Sequence, residues 1–155
     1  MKSIKTLILL VMVVFGVNTI TPKQAVAHCE IPCGIYDDAL RIKIIKEHIQ
    51  TIKKSMHEIG HLSTNSKTDL QQIVRWTNNK EDHAKKIQDI MTQYFLYQRV
   101  KIGTDTASKK RQQELLLSLH EVCVYAMKCK QTLDSKMVDK LQAATLKFEK
   151  LYFNK

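Results

Sequence analysis

Residues 41–60 read RIKIIKEHIQTIKKSMHEIG, and their apolar side chains recur at alternating intervals of three and four residues. The recurring positions are Ile42, Ile45, Ile49, Ile52, Met56 and Ile59. This spacing places one apolar stripe along a single face of an α-helix. The pattern predicts an amphipathic helix that Asp37 or Asp38 caps and that Gly60 ends.

Three further stretches show the same helical spacing. Residues 66–69 resemble a capping box ahead of a second, long helix, whose stripe is Leu70, Ile73, Thr77, Ala84, Ile87, Met91 and Tyr94. After a break at residues 103–106, the third stripe is Leu115, Leu116, Leu119, Val122, Cys123, Ala126 and Met127. Asp134 and Ser135 cap a fourth helix, whose inward positions are Val138, Leu141, Thr145, Phe148 and Tyr152. Four amphipathic helices with short loops predict an all-α, up-down-up-down four-helix bundle.

The composition excludes several classes of protein. The 155 residues include only four glycines and two prolines and are 44% hydrophobic, which argues against a collagen-like fibre, a glycine-rich segment and a disordered tail. Lys and Arg outnumber Asp and Glu by 25 to 15, for a formal charge of +10. The lysines are spread along all four predicted helices without an arginine-rich recognition stretch, so no nucleic-acid partner is expected.

The first 27 residues have the layout of a cleaved signal peptide. Two lysines precede an apolar run at residues 7–17, and Ala25 and Ala27 supply the small residues of a cleavage site. The run is shorter than the ~20 residues that cross a bilayer, so no stable membrane anchor is expected. Removing residues 1–27 leaves a 128-residue domain, 28–155, and the loss of three lysines lowers the charge from +10 to +7. We expect a processing peptidase to cut after Ala27 and the protein to be exported, periplasmic or extracellular; cytoplasmic processing by a dedicated protease is the alternative.

Cleavage there exposes the sequence HCEIPCGIYD, which starts at His28. The freed α-amine of His28 titrates near pH ~7.7–8.0 and lies one chelate ring from the amide nitrogen of Cys29. With the thiolates of Cys29 and Cys33, these donors form a square-planar set, and the His28 imidazole can reach an axial position. Such nitrogen and sulfur donors suit Ni(II) or Cu(II), whereas zinc prefers tetrahedral sites. Pro32 and Gly34 suit the tight turn that brings both sulfurs to one ion.

The segment H-C-x-x-P-C-G-x-Y resembles the nickel hook of nickel-dependent superoxide dismutases. Other stretches similar to segments of that family are NKEDHA, YFLYQR, AMKCKQT and FEKLYF, at residues 79–84, 94–99, 126–132 and 148–153. The resemblance covers essentially all of residues 28–155. The hook is specific because residue types, spacing and terminal position all agree.

The resemblance implies that the protein converts superoxide to O2 and H2O2 by Ni(II)/Ni(III) cycling, with one nickel ion per subunit. His28 would supply the amine and a redox-dependent axial imidazole, Cys29 its amide nitrogen and thiolate, and Cys33 the second thiolate. Tyr36 occupies the place of a tyrosine that guards the approach of substrate and orders water. The family also implies a homohexamer whose subunits support one another's hooks. The +7 charge would help to attract the superoxide anion.

Two positions depart from the family pattern. Members often carry an acidic residue that holds the axial imidazole, and the matching position here is Lys43. Some relatives have an arginine where this chain has His83. Partners of this kind orient metal ligands and adjust their basicity. Substitutes for the missing acid are available nearby in Asp37, Asp38 and Glu47.

Two other interpretations of the N-terminal segment stay open. Export and an even number of cysteines favour a Cys29–Cys33 disulfide in a helical interaction protein, although such a protein would not need His28 at its terminus. The same chelate also suits a nickel or copper carrier that does not turn over superoxide.

The remaining cysteines, histidines and aromatic residues are assigned to the scaffold. Cys123 lies on the apolar stripe and is expected in the core, whereas Cys129 is expected on a different helix face and has no assignment. The histidines expected on helix surfaces or ends are His48, His57, His61 and His120. His57 and His61 lie four apart but lack a third ligand at zinc spacing. The stretch 94–97 and Trp76 are expected to form core or subunit contacts.

Overall fold

The computed structural model describes Pro32, residues 34–64 and residues 69–154. Its helices are α1 (Asp38–Thr64), α2 (Leu70–Asp89), a π-helical segment (Ile90–Arg99) that continues α2, α3 (Thr106–Gln131) and α4 (Ser135–Phe153). Residues 34–155 form one compact unit, and its described residues contain no strand. The predicted all-α four-helix bundle is confirmed. The proposed leader, residues 1–27, lies outside the described residues, as do His28, Cys29 and Cys33.

The four helices pack in a ring. Helix α1 contacts α2 and α4, and α3 contacts the same two helices. Helices that follow one another along the chain are joined by short connections and therefore run in opposite directions. In the described part of the chain, no helix is both long and apolar enough to cross a membrane.

The stripe of α1 is buried as predicted, and its six apolar side chains are each 5% exposed or less. Burying one such side chain contributes roughly 1.5–3 kcal/mol, so this face accounts for much of the packing of α1. Asp37 caps the helix, because its Oδ1 accepts a hydrogen bond from the Leu40 amide at 2.9 Å. The prediction that Gly60 ends the helix is wrong. Helix α1 continues to Thr64, since a single interior glycine costs only about 1 kcal/mol relative to alanine.

Helix α2 differs from the prediction at its first turns. Asp69 is the N-cap and accepts a hydrogen bond from the Gln72 amide at 3.1 Å, while the other residues of the expected capping box, 66–68, lie outside the described residues. Leu70 was expected inside but is 70% exposed. The reason is that close packing of α2 begins only at Lys80, its first buried residue.

Helix α3 corrects two expectations about its apolar stripe. Its buried residues are Leu115, Ser118, Leu119, Val122, Ala126 and Cys129. Cys129 is therefore the core cysteine, whereas Cys123, predicted to be in the core, is only half-buried, and Met127 is 41% exposed. Both errors have the same cause: the stripe continues from Ala126 to Cys129, and Cys123 and Met127 lie on its flank. Both cysteines are free thiols, and burial raises the pKa of each to about 11.

The end of α3 is held by a buried lysine that sequence reasoning missed. Lys80 is 4% exposed, and its Nζ donates hydrogen bonds to the carbonyl oxygens of Lys130, at 2.7 Å, and Thr132, at 3.4 Å. These carbonyls lie at a helix C-terminus, where a cation is favoured. The contact links α2 to the connection between α3 and α4. Asp134 caps α4 as predicted, by accepting a hydrogen bond from the Lys136 amide at 2.9 Å.

Candidate active site

The chain turns sharply immediately after Cys33. Gly34 adopts a φ of +93°, a conformation that costs a residue with a side chain roughly 1–2 kcal/mol. Glycine is therefore favoured at this position, whereas the predicted turn that brings the two sulfurs together lies outside the described residues. The three predicted metal ligands precede it and fall outside the described residues, so their role stays a prediction. Tyr36, the fourth predicted site residue, is described and lies two residues ahead of α1.

Tyr36 is held by side chains of the π-helical segment. Its hydroxyl donates a hydrogen bond to Oε1 of Gln98 at 3.3 Å. The guanidinium of Arg99 covers its ring at 4.3 Å from the centroid, and the ring of Tyr94 meets it edge to face at 5.7 Å. The side chain nevertheless keeps 37% of its surface exposed. Tyr36 is therefore both oriented and reachable from solvent.

Asp38 holds these surrounding residues in place. Its Oδ1 accepts hydrogen bonds from the Tyr94 hydroxyl at 2.6 Å and from Nε of Arg99 at 2.9 Å. Its Oδ2 accepts from Nη2 of Arg99 at 2.7 Å and from the Tyr152 hydroxyl at 2.8 Å. A carboxylate has about four lone-pair sites, and here all four are used. Asp38 therefore has no acceptor left for an imidazole, which removes it as a substitute for the acid missing at position 43.

The electrostatics of this network keep Asp38 charged and its tyrosines neutral. Burial alone would raise the pKa of Asp38, but hydrogen bonds from Arg99, Tyr94 and Tyr152 outweigh that effect and lower it. Burial, followed by the hydrogen bond to Asp38, raises the pKa of Tyr94, and the same causes raise the pKa of Tyr152 to about 12. The hydrogen bond to Asp38 raises the pKa of Arg99.

The π-helical geometry brings the partners of Tyr36 to one side. In an α-helix, residues five apart point about 140° away from each other. In a π-helix the backbone hydrogen bonds join residues five apart, as the Val100 amide bonded to the Phe95 carbonyl at 2.8 Å shows. Tyr94 and Arg99, which are five apart, therefore both reach Asp38. π-Helical turns are frequent at functional sites.

The aromatic side chains that pack around Phe95 form a cluster next to the site. Phe95 is fully buried and packs edge to face against Tyr94, Phe148 and Tyr152, with centroids 5.0, 5.0 and 5.1 Å away. The expectation that stretch 94–97 supplies core contacts is confirmed for Tyr94 and Phe95, whereas Tyr97 is 66% exposed.

A second guanidinium lies next to Tyr94. Arg41 places its guanidinium 5.0 Å from the centroid of Tyr94. Its buried Nε has no hydrogen-bond partner among the described residues. Tyr94 therefore lies beside two cations, Arg41 and Arg99, near the exposed Tyr36.

His83 and Lys43, the two departures from the family pattern, lie in different surroundings. Lys43 is exposed on α1. His83 is half-buried, and its Nδ1 lies 2.9 Å from Nδ1 of His48, so one ring donates and the other accepts. The surface position predicted for His48 is therefore wrong. Burial is the main cause that lowers the pKa of both rings, and for His48 the neighbouring His83 adds to it.

The other histidines are where the sequence placed them. His57, His61 and His120 are exposed. Within residues 34–64 and 69–154, no group of three or more His, Cys, Asp or Glu side chains could hold a metal ion.

The described residues define an all-α bundle with a hydrogen-bonded, solvent-accessible tyrosine ahead of its first helix. The sequence model of the nickel-containing superoxide dismutases matches residues 23–155. The chain belongs to this family: it is an oxidoreductase that acts on superoxide, and its cofactor is nickel. A search of curated proteins and a search of solved structures gave no significant match.

The donor chemistry of the N-terminal segment fits this cofactor. The thiols of Cys29 and Cys33, the amide of Cys29 and, if the predicted cleavage takes place, a terminal amine at His28 would be the sulfur and nitrogen donors that suit Ni(II). Outside that segment the two cysteines are poor ligands, because burial raises their pKa to about 11 and disfavours the thiolate that binds metals.

Proposed function

We propose that this superoxide dismutase holds its nickel in an N-terminal hook made of His28, Cys29 and Cys33. The observation that carries the proposal is that the family match begins at residue 23 and therefore includes the whole hook sequence. When bound there, nickel supplies one-electron chemistry by alternating between Ni(II) and Ni(III). The chain would contribute the donors and the side chains around the ion.

Each residue of the hook has a separate task in this proposal. Cleavage after Ala27 would free the amine of His28, and this amine and the His28 imidazole would both be available to nickel. Cys29 would contribute its amide nitrogen and its thiolate, and Cys33 its thiolate. Gly34 supports this arrangement, because its positive φ turns the chain directly after the second sulfur.

We propose that Tyr36 controls access to the site. A tyrosine that is 37% exposed can order water with its hydroxyl while its ring restricts approach. The hydrogen bond to Gln98 and the Arg99 guanidinium over the ring support this orientation of the side chain. The single hydroxyl proton of Tyr36 is donated to Gln98, so its oxygen is left to accept a hydrogen bond from water.

Self-association and export complete the proposal. Several apolar side chains are largely exposed, namely Ile35, Leu70, Tyr97, Ile102 and Leu117. Scattered exposed apolar residues are ordinary on protein surfaces, so the homohexamer that the family resemblance implies is proposed from the family alone. The signal-like layout of residues 1–27 supports export to the periplasm or the extracellular space.

The test compares two proteins that differ at one end only. One begins at His28, and the other carries a single glycine ahead of His28, which converts the amine ligand into an amide. Both are loaded with nickel and assayed for superoxide decay, and both are compared by far-UV circular dichroism.

The protein that begins at His28 should be active only with nickel, and the extended protein should be inactive but equally helical. Nickel binding without turnover would indicate a carrier. Activity of both proteins, or activity without nickel, would overturn the hook.

A further inference from the structure

We propose that Arg99, clamped by Asp38, is the positioning residue that fixes the orientation of Tyr36 for the reaction. This inference rests on the proposed role of Tyr36. It adds two residues that act through Tyr36 rather than on substrate or metal, and it explains why a π-helical segment lies at this place.

Tyr36 needs such support because it lies outside the helices. No helical backbone fixes its side chain, since α1 begins only at Asp38. Its hydroxyl bond to Gln98 is long, at 3.3 Å. The closest cover of its ring is the Arg99 guanidinium, at 4.3 Å from the centroid. A cation over an aromatic face attracts the ring quadrupole, and guanidinium does so with a flat surface that matches the ring.

Arg99 can hold Tyr36 because it is itself held rigidly. Nε and Nη2 of Arg99 bind the two oxygens of Asp38 at 2.9 and 2.7 Å. This bidentate pairing fixes the plane of the guanidinium as well as its position. The pair is mostly shielded from water, since the side chains of Arg99 and Asp38 are 26% and 17% exposed.

Asp38 is in turn anchored from two further helical elements. The hydroxyls of Tyr94 in the π-helical segment and of Tyr152 in α4 both donate to it. The bundle core therefore holds Asp38, Asp38 holds Arg99, and Arg99 holds the exposed ring of Tyr36. Asp38 is only two residues from Tyr36 along the chain, so the clamp also fixes the backbone next to it.

The substitution that tests this is Arg99→Lys. Lysine keeps the positive charge and one hydrogen bond to Asp38, but it loses the second bond and the flat surface over the ring. A displacement of about 1 Å can lower the rate of an enzyme on the order of a hundredfold. We expect a smaller displacement of the Tyr36 ring in Arg99→Lys, which should lower kcat by roughly tenfold. Arg75→Lys on the exposed surface of α2 is the matched control and should leave kcat unchanged.

A double-mutant cycle with Tyr36→Ala, which removes the ring that Arg99 covers together with its hydroxyl, separates positioning from a general structural role. If Arg99 acts through Tyr36, Arg99→Lys should have no further effect on kcat in the Tyr36→Ala protein. Independent, multiplying losses would overturn the inference. Asp38→Asn provides a second route to the same result if Arg99→Lys does not fold, because it releases Arg99 while keeping the shape of the side chain.

A measurement without turnover keeps the inference independent of the proposed function. Tyrosine ring resonances, assigned with Tyr36→Phe, are recorded by NMR in the metal-free wild-type, Arg99→Lys and Arg75→Lys proteins. The Tyr36 ring should show contacts to the Arg99 side chain in the wild type and should shift in Arg99→Lys only. If the Tyr36 ring resonances are unchanged in Arg99→Lys, the inference is overturned. If the nickel-loaded wild type has no activity, the proposed function is overturned, and the ring measurement still tests whether Arg99 positions Tyr36.

Discussion

Replacing Asp38 by asparagine should destabilise the bundle by about 2–3 kcal/mol at pH 7, since hydrogen bonds to a charged group contribute roughly 1.5–3 kcal/mol each. The carboxylate accepts four such bonds from three side chains. The asparagine retains one acceptor oxygen and its shape, so about half of the network is lost. The partial exposure of the Asp38–Arg99 pair, 17% and 26% of the two side chains, keeps the expected figure toward the low end.

The pH dependence of this effect has a definite sign. The pKa of Asp38 is lower in the folded protein than the ordinary value near ~3.9 of an unfolded chain. Its stabilisation is therefore complete above about pH 4 and is lost as the pH falls through the folded pKa. At lower pH the protonated carboxyl resembles an amide, and the difference between the wild type and Asp38→Asn should shrink.

Urea unfolding of the metal-free proteins, followed by far-UV circular dichroism at about pH 7 and pH 3, measures both effects. The control is Asp139→Asn, because Asp139 is 60% exposed and its ion pair in the described part of the chain is with exposed Lys53. This substitution should change the unfolding free energy by less than about 1 kcal/mol. A loss below about 1 kcal/mol for Asp38→Asn, or a loss that is the same at both pH values, would refute the proposed strength of the network.

Three further outcomes are expected. Gly34→Ala should reduce nickel occupancy, measured by metal analysis of loaded protein, because the positive φ of Gly34 becomes strained while the bundle keeps its helicity. The pKa values of His48 and His83 in the folded protein lie below the unfolded value near ~6.5. The unfolding free energy of the metal-free protein should therefore fall as the pH drops below about 6.5. His83→Gln should weaken this dependence of the unfolding free energy on pH, measured by urea unfolding. Turnover should decline between low and high ionic strength, measured by superoxide decay, since salt screens attraction between a cationic protein and an anion.

The helices of this bundle could be predicted from sequence because their signals are local. The stripe from Ile42 to Ile59 lies entirely within one helix, and it is buried as the spacing indicated. Asp134 could also be recognised as a cap from its neighbours alone. The errors occurred where packing overrides local signals. Gly60 does not end α1, and Leu70 remains exposed because α2 packs closely only from Lys80 onward.

The surroundings of Tyr36 could not be predicted in the same way. Arg99 and Asp38 are 61 residues apart along the chain, and no periodicity connects them. The spacing of apolar residues does not indicate the π-helical segment either, yet this segment brings Tyr94 and Arg99 to the same carboxylate. A weak signal was present in the stretch YFLYQR, where two tyrosines and an arginine follow a buried helix face.

The sequence by itself determined the four helices and most of their buried positions, and it predicted the order of donors in the N-terminal hook, because each depends on residues close together in the chain. Only the tertiary structure decided which distant groups meet. It paired His48 with His83, moved the core position from Cys123 to Cys129, and placed Arg99 between Asp38 and Tyr36. These contacts form when helices pack, and packing geometry depends on all four helices together rather than on any local pattern.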